Sequence, residues 1–88
     1  MHHLDEKLPS RVVQSDAKTG KVLKTYSLMG SGSRGYMGKV LSVSLFDNDT
    51  KFVVPSEKSI CIFDKRNAVQ AFDGSYKAPL IMCQEQSI

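Results

Sequence analysis

Apolar and polar residues along this chain alternate mostly with the two-residue period of β-strands. The stretch RVVQSDAKTGKVLKTYSLM, from Arg11, holds two β-favouring runs around DAKTG, where Gly20 can supply a positive φ, and it predicts a hairpin. In the second run Val22, Lys24, Tyr26 and Leu28 share one face, with Lys21, Leu23, Thr25 and Ser27 on the other. Both faces are mixed, so one side is expected to be only partly buried. Further on, KVLSVSLF sets Val40, Ser42, Ser44 and Phe46 opposite Leu41, Val43 and Leu45, the pattern of a half-buried strand.

Turn chemistry separates the remaining runs. DNDT reads as a turn because Asp and Asn side chains bond to nearby backbone amides, and SEKS makes the next connection. Between them KFVVPS reads as a strand that Pro55 must end or hold at an edge, since proline donates no ladder hydrogen bond. ICIFD, from Ile60 to Asp64, reads as a central strand, and KAPLIMCQ as a last strand for which Pro79 again marks an edge or a start. Ala68, Val69, Ala71 and Phe72 fit one turn of amphipathic helix as well as a short strand, so a short helix is expected near residues 65–72. The expectation is a mainly β chain: a small antiparallel barrel or meander of about five to six short strands. Residues 1–10, ending in Leu8-Pro9-Ser10, read as a flexible arm, 11–84 as a single β domain and 85–88 as a frayed tail.

With 88 residues there is room for one domain and one modest core. No apolar stretch approaches the roughly 18 to 20 residues that cross a bilayer, and MHHLDEKLPS has no basic region followed by an apolar one, so neither a membrane partner nor a secretory signal is expected. Cys61 and Cys83 lie in separate apolar runs without ligand spacing, which predicts buried, reduced thiols, no metal and a cytoplasmic setting. A disulfide between them would require their strands to be neighbours.

Charge is uneven. Arg11, Lys18, Lys21, Lys24, Arg34 and Lys39 face Asp16 alone between residues 11 and 39, six cations against one carboxylate or a net of +5, within a chain whose total is +3. Residues 41–64 carry Asp47, Asp49, Glu57 and Asp64 against Lys51 and Lys58, a net of −2. A basic first half implies an anionic partner, either nucleic acid or an acidic protein surface.

Two motifs bear on chemistry. Gly30, Gly32 and Gly35 spell G-x-G-x-x-G, but they lead into strand KVLSVSLF and not into the helix that a dinucleotide fold needs. LMGSGSRGYMGKV resembles the glycine-rich loop of protein kinases over about thirteen residues, and no V-A-I-K, H-R-D or D-F-G follows, so what remains is a loop whose amides and Arg34 could contact anions. GKVLSVSLFDNDTKFVVPSEKSICIFDKRN resembles one blade of a WD-repeat propeller, a fold of typically four to eight blades; here the resemblance implies antiparallel meander geometry alone.

Catalysis has little to build on. The only histidines, His2 and His3, fall in the arm, and Asp47 and Asp49 stand in a turn. The reading is a non-enzymatic binding module without a cofactor, taking RNA or single-stranded nucleic acid on Arg11, Lys18, Lys21, Lys24, Tyr26, Arg34, Tyr36 and Lys39, with lysines tracking phosphate and tyrosines stacking on bases. The alternative is a protein-binding module, such as a phage-type inhibitor of a host nuclease, toxin or defence protein. Open edges on so small a core also allow a homo-oligomer.

Overall fold

A computed structural model of the chain describes residues 1–5, 11–28 and 39–85. These residues form nine strands and no helix: β1 (His2–Leu4), β2 (Arg11–Ser15), β3 (Val22–Ser27), β4 (Ser44–Phe46), β5 (Lys51–Pro55), β6 (Ser59–Asp64), β7 (Val69–Gln70), β8 (Tyr76–Lys77) and β9 (Leu80–Glu85). The mainly β expectation is met. A closed barrel is not: the strands make a five-stranded sheet ordered β1-β2-β3-β8-β7 and a four-stranded sheet ordered β4-β5-β6-β9.

The β2–β3 hairpin forms where the sequence placed it. Asp16 accepts amide hydrogen bonds from Lys18 at 2.8 Å and Thr19 at 3.0 Å, and Gly20 takes φ 73° to bring the chain back. The Asp-rich turn takes a less common route, with Asp47, Asn48 and Asp49 all at positive φ, a region that Asp and Asn tolerate better than other side chains. Pro55 ends β5. Its register partner is Ile60, and its carbonyl accepts from the Leu41 amide at 3.0 Å on the side away from β6. The β5–β6 connection is then closed by two buried serines, Ser56 Oγ donating to the Ser59 carbonyl at 2.9 Å.

Three departures from the sequence reading have local causes. Residues 2–4 are not part of a loose arm: they pair antiparallel with β2, the Met1 ammonium donates to the Ser15 carbonyl at 3.0 Å, and the His2 ring lies against Phe52 and Tyr26. No helix forms at 65–72, because the amides of Lys65 and Arg66 donate to the Thr50 carbonyl and Asp64 caps Asn67, bending the chain into a turn that leads into β7. Of KVLSVSLF only Ser44–Phe46 is strand, Val40 making a single bridge to Ser56.

The core lies between the sheets. Val12 and Tyr26 from the first sheet meet Phe52, Val54, Cys61 and Phe63 from the second, together with Leu28, Val40 and Ala78. The Tyr26 and Phe52 rings cross this boundary edge-on, 5.1 Å between centroids. A parallel pair, Tyr26 opposite Tyr76, joins β3 to β8, and the whole four-stranded sheet except β9 is inserted between those two strands in sequence.

Cys61 and Cys83 stand opposite each other on β6 and β9 and are joined in a disulfide. This corrects the expectation of free, reduced thiols: both runs were read properly as strands, but only their adjacency brings the two sulfurs together. With the thiols bonded, the argument for a cytoplasmic setting loses its basis. Among the described residues, no helix is long and apolar enough to cross a membrane.

Candidate nucleic-acid interface

The residues singled out by charge do not form one face. Arg11 opens β2 and donates to Asp73 Oδ2 at 3.0 Å, an ion pair that ties β2 to the β7–β8 connection. Lys18 lies in the β2–β3 turn and Lys21 directly after it, both exposed at the far end of the hairpin. Lys39 is exposed beside Val40, its amide bonded to the Glu57 carboxylate at 3.0 Å. Arg34 and Tyr36, with the glycine-rich stretch around them, lie outside the described residues.

Lys24 and Tyr26 do come together, but in different roles from those expected. Tyr26 is 2% exposed and packs in the core, so it offers no face to a base; burial pushes its hydroxyl pKa up, with Lys24 pulling the other way. Lys24 remains half-exposed. Its ammonium sits 4.2 Å from the Tyr76 ring centroid and 5.6 Å from that of Tyr26.

The turn after β6 brings two further cations to the same place. Lys65 Nζ lies 6.0 Å from the Tyr26 ring centroid, and Arg66 follows it. Lys24, Tyr26, Lys65 and Arg66 line, with Gln14, Asp49 and Thr50, an open cleft of about 360 Å³ where the β2–β3 strands meet the β4–β5 turn. Among the described residues none of the three cations is in an ion pair. Their field is nevertheless felt: burial, then Lys65, then the terminal ammonium hold the His2 pKa below its ordinary value, against Asp49. Arg66 likewise contributes to lowering Asp47 and Asp64, after the larger effects of Lys51 on Asp47 and of Asn67 on Asp64.

Comparison with known protein families, curated proteins and solved structures gives no match. The cleft's chemistry therefore rests on its own residues. Three cations against the single carboxylate of Asp49, with Gln14 and Thr50 as neutral hydrogen-bonding groups, leave a positive cleft that suits an anion held by charge and hydrogen bonds. Among the described residues, no group of three His, Cys, Asp or Glu side chains is placed to hold a metal. Lys65 and Arg66 were missed because they fall beyond the basic half of the sequence; the adjacent pair in KRN, directly after a strand ending in Asp64, was the available signal.

Proposed function

We propose that this chain is a small, non-enzymatic module that binds RNA or single-stranded nucleic acid by its phosphates, with Lys24, Lys65 and Arg66 as the contact set and Lys18 and Lys21 extending the track along the hairpin. The observation that carries the reading is three cations around one cleft, none of them in an ion pair among the described residues. Because Tyr26 is buried, charge and not stacking supplies the affinity in this proposal. About three single-strand phosphate contacts give a slope near −2 when the logarithm of the association constant is plotted against that of salt concentration. Fluorescence anisotropy with a labelled oligonucleotide at low and moderate salt tests this. Lys65→Glu and Arg66→Glu are expected to weaken binding more than Lys18→Ala or Lys21→Ala; no binding, or binding indifferent to salt, refutes the proposal.

A protein-binding role is the second reading, favoured by one observation. Val69 is 67% exposed and Phe72 fully exposed, and both line an open hollow of about 420 Å³ along β7, an apolar patch of the kind that a protein partner can cover. A pull-down from cell extract with and without nuclease separates the readings. A partner that survives nuclease supports the protein-binding role, including that of an inhibitor; loss of all partners supports direct nucleic-acid binding.

A further inference from the structure

Asp16, Asp47, Asp64 and Asp73 spend their carboxylates inside the fold: on the amides of Lys18 and Thr19, on Lys51, on Asn67, and on Ser75 and Arg11. Asp49 does not. It is exposed and lines the cleft of Lys24, Lys65 and Arg66, yet among the described residues its carboxylate makes neither a hydrogen bond nor an ion pair. An ionised carboxylate only accepts hydrogen bonds, and so does a phosphate diester, so the two repel. Phosphate alone accounts for the three cations and leaves Asp49 without a ligand.

One residue ties the backbone of this acceptor to that of two of the cations. Thr50, next to Asp49, donates its amide and its hydroxyl to the Asp47 carbonyl at 3.2 and 2.7 Å, closing the turn in which Asp49 takes φ 60°. The Thr50 carbonyl in turn accepts from the amides of Lys65 and Arg66 at 2.9 and 3.3 Å. With its proton committed to Asp47, the Thr50 hydroxyl is a second acceptor in the cleft, while Gln14, whose Oε1 accepts from the Tyr26 hydroxyl at 3.5 Å, keeps its amide nitrogen as a donor. Donors and acceptors stand together, so an occupant that satisfies them carries a hydrogen-bond donor beside its anionic group.

Along a nucleic-acid backbone that donor is the ribose 2′-hydroxyl, on the carbon next to the one that bears the 3′-phosphate. Base edges also donate, but the aromatic ring lining the cleft, Tyr26, is 2% exposed and gives no platform on which a base would stack. Sugar and phosphate are the parts of the strand that the cleft suits. We infer that Asp49 makes this cleft selective for RNA over single-stranded DNA, its carboxylate accepting the 2′-hydroxyl of a nucleotide whose phosphate sits among Lys24, Lys65 and Arg66; this rests on the nucleic-acid reading proposed above. DNA keeps the phosphate contacts but meets the same carboxylate with no donor, so the repulsion is not offset.

Fluorescence anisotropy of the full chain at fixed salt tests this, with oligouridylate, the 2′-deoxy oligomer of the same sequence and length, and the 2′-fluoro oligomer, which keeps the sugar pucker of RNA but has no donor. The wild type is expected to bind the RNA about tenfold more tightly than either of the other two, the discrimination of one hydrogen bond to a charged acceptor. That comparison needs no variant. Asp49→Gly, which suits the positive φ of the turn, is expected to bring RNA and DNA within about twofold of each other and to bind DNA more tightly than the wild type does. RNA and DNA bound alike by the wild type, 2′-fluoro oligomer bound as tightly as RNA, or a preference for RNA retained in Asp49→Gly would overturn the inference and leave the nucleic-acid reading standing. No binding of any of the three oligomers, even at low salt, would overturn both.

Discussion

Arg11 Nη2 and Asp73 Oδ2 lie 3.0 Å apart, bridging the start of β2 to the connection between β7 and β8. Asp73 is also the acceptor for Ser75, whose hydroxyl and amide reach it at 2.6 and 2.9 Å. Ser75 first and Arg11 second hold the Asp73 carboxyl down at about 2. The folded pKa is depressed, so this contribution is complete above the ordinary value of 3.8 and is lost as pH falls through about 2. Carboxyl NMR titration is expected to find Asp73 the most acidic aspartate of those with lowered values, and Arg11→Ala to raise it less than Ser75→Ala does. The same Arg11→Ala change is expected to leave oligonucleotide affinity closer to wild type than Lys24→Ala.

His2 predicts a second pH effect. Its imidazole is disfavoured as a cation in the folded chain by burial, by Lys65 and by the terminal ammonium, while the unfolded chain protonates near the ordinary 6.5. Below that pH the unfolded state binds more protons, so stability falls as pH falls. Urea midpoints measured from pH 7.5 to 5 should decline, and His2→Gln should flatten the decline; an unchanged slope in the variant would remove His2 as the cause.

The Cys61–Cys83 disulfide spans 22 residues of sequence, from β6 to β9. Closing a loop of that size is worth about 3 kcal/mol, chiefly through the unfolded chain. Reduction by dithiothreitol should lower the urea-derived unfolding free energy by about that amount, and an alanine double variant at both positions should be insensitive to the reductant. Equal stability with and without reductant in the wild type would contradict this.

Phe52 predicts the largest single loss. It is fully buried, touches the Tyr26 ring edge-on and lies 5.8 Å from the His2 ring. Phe52→Ala should cost about 3 to 5 kcal/mol, a large share of the roughly 5 to 15 kcal/mol that such domains possess. Phe72→Ala, at a fully exposed site, should change stability by less than about 0.5 kcal/mol. Denaturant titrations of the two variants check both values.

Much of the local structure was legible in the sequence because its causes are local. Asp16 and Gly20 make the first hairpin turn from their own side chain and backbone, Pro55 ends β5, and Leu80 begins β9 immediately after Pro79. Strands β1 and β8 carry no signal in the sequence and β7 only an alternative to a helix, because they are two or three residues long, too short for an alternating pattern to register. Residues 65–72 had a pattern compatible with a helix, but hydrogen bonds to Thr50, fifteen residues earlier in the chain, decided the turn.

The candidate site was less legible. Lys24 and Tyr26 are two of the eight residues that the sequence offers as a binding set, yet which of them faces solvent depends on the second sheet closing over Tyr26. Lys65 and Arg66 reach Lys24 only because β6 carries them back across the core.

By itself the sequence determined the strand period, the main turns and the uneven charge, since each follows from side chains within a few residues of one another. Tertiary structure alone decided that Arg11 pairs with Asp73, that Cys61 meets Cys83 and that Lys24, Lys65 and Arg66 share a cleft. Those contacts join residues far apart in the chain, and sheet register and packing, which no local pattern encodes, set the distances between them.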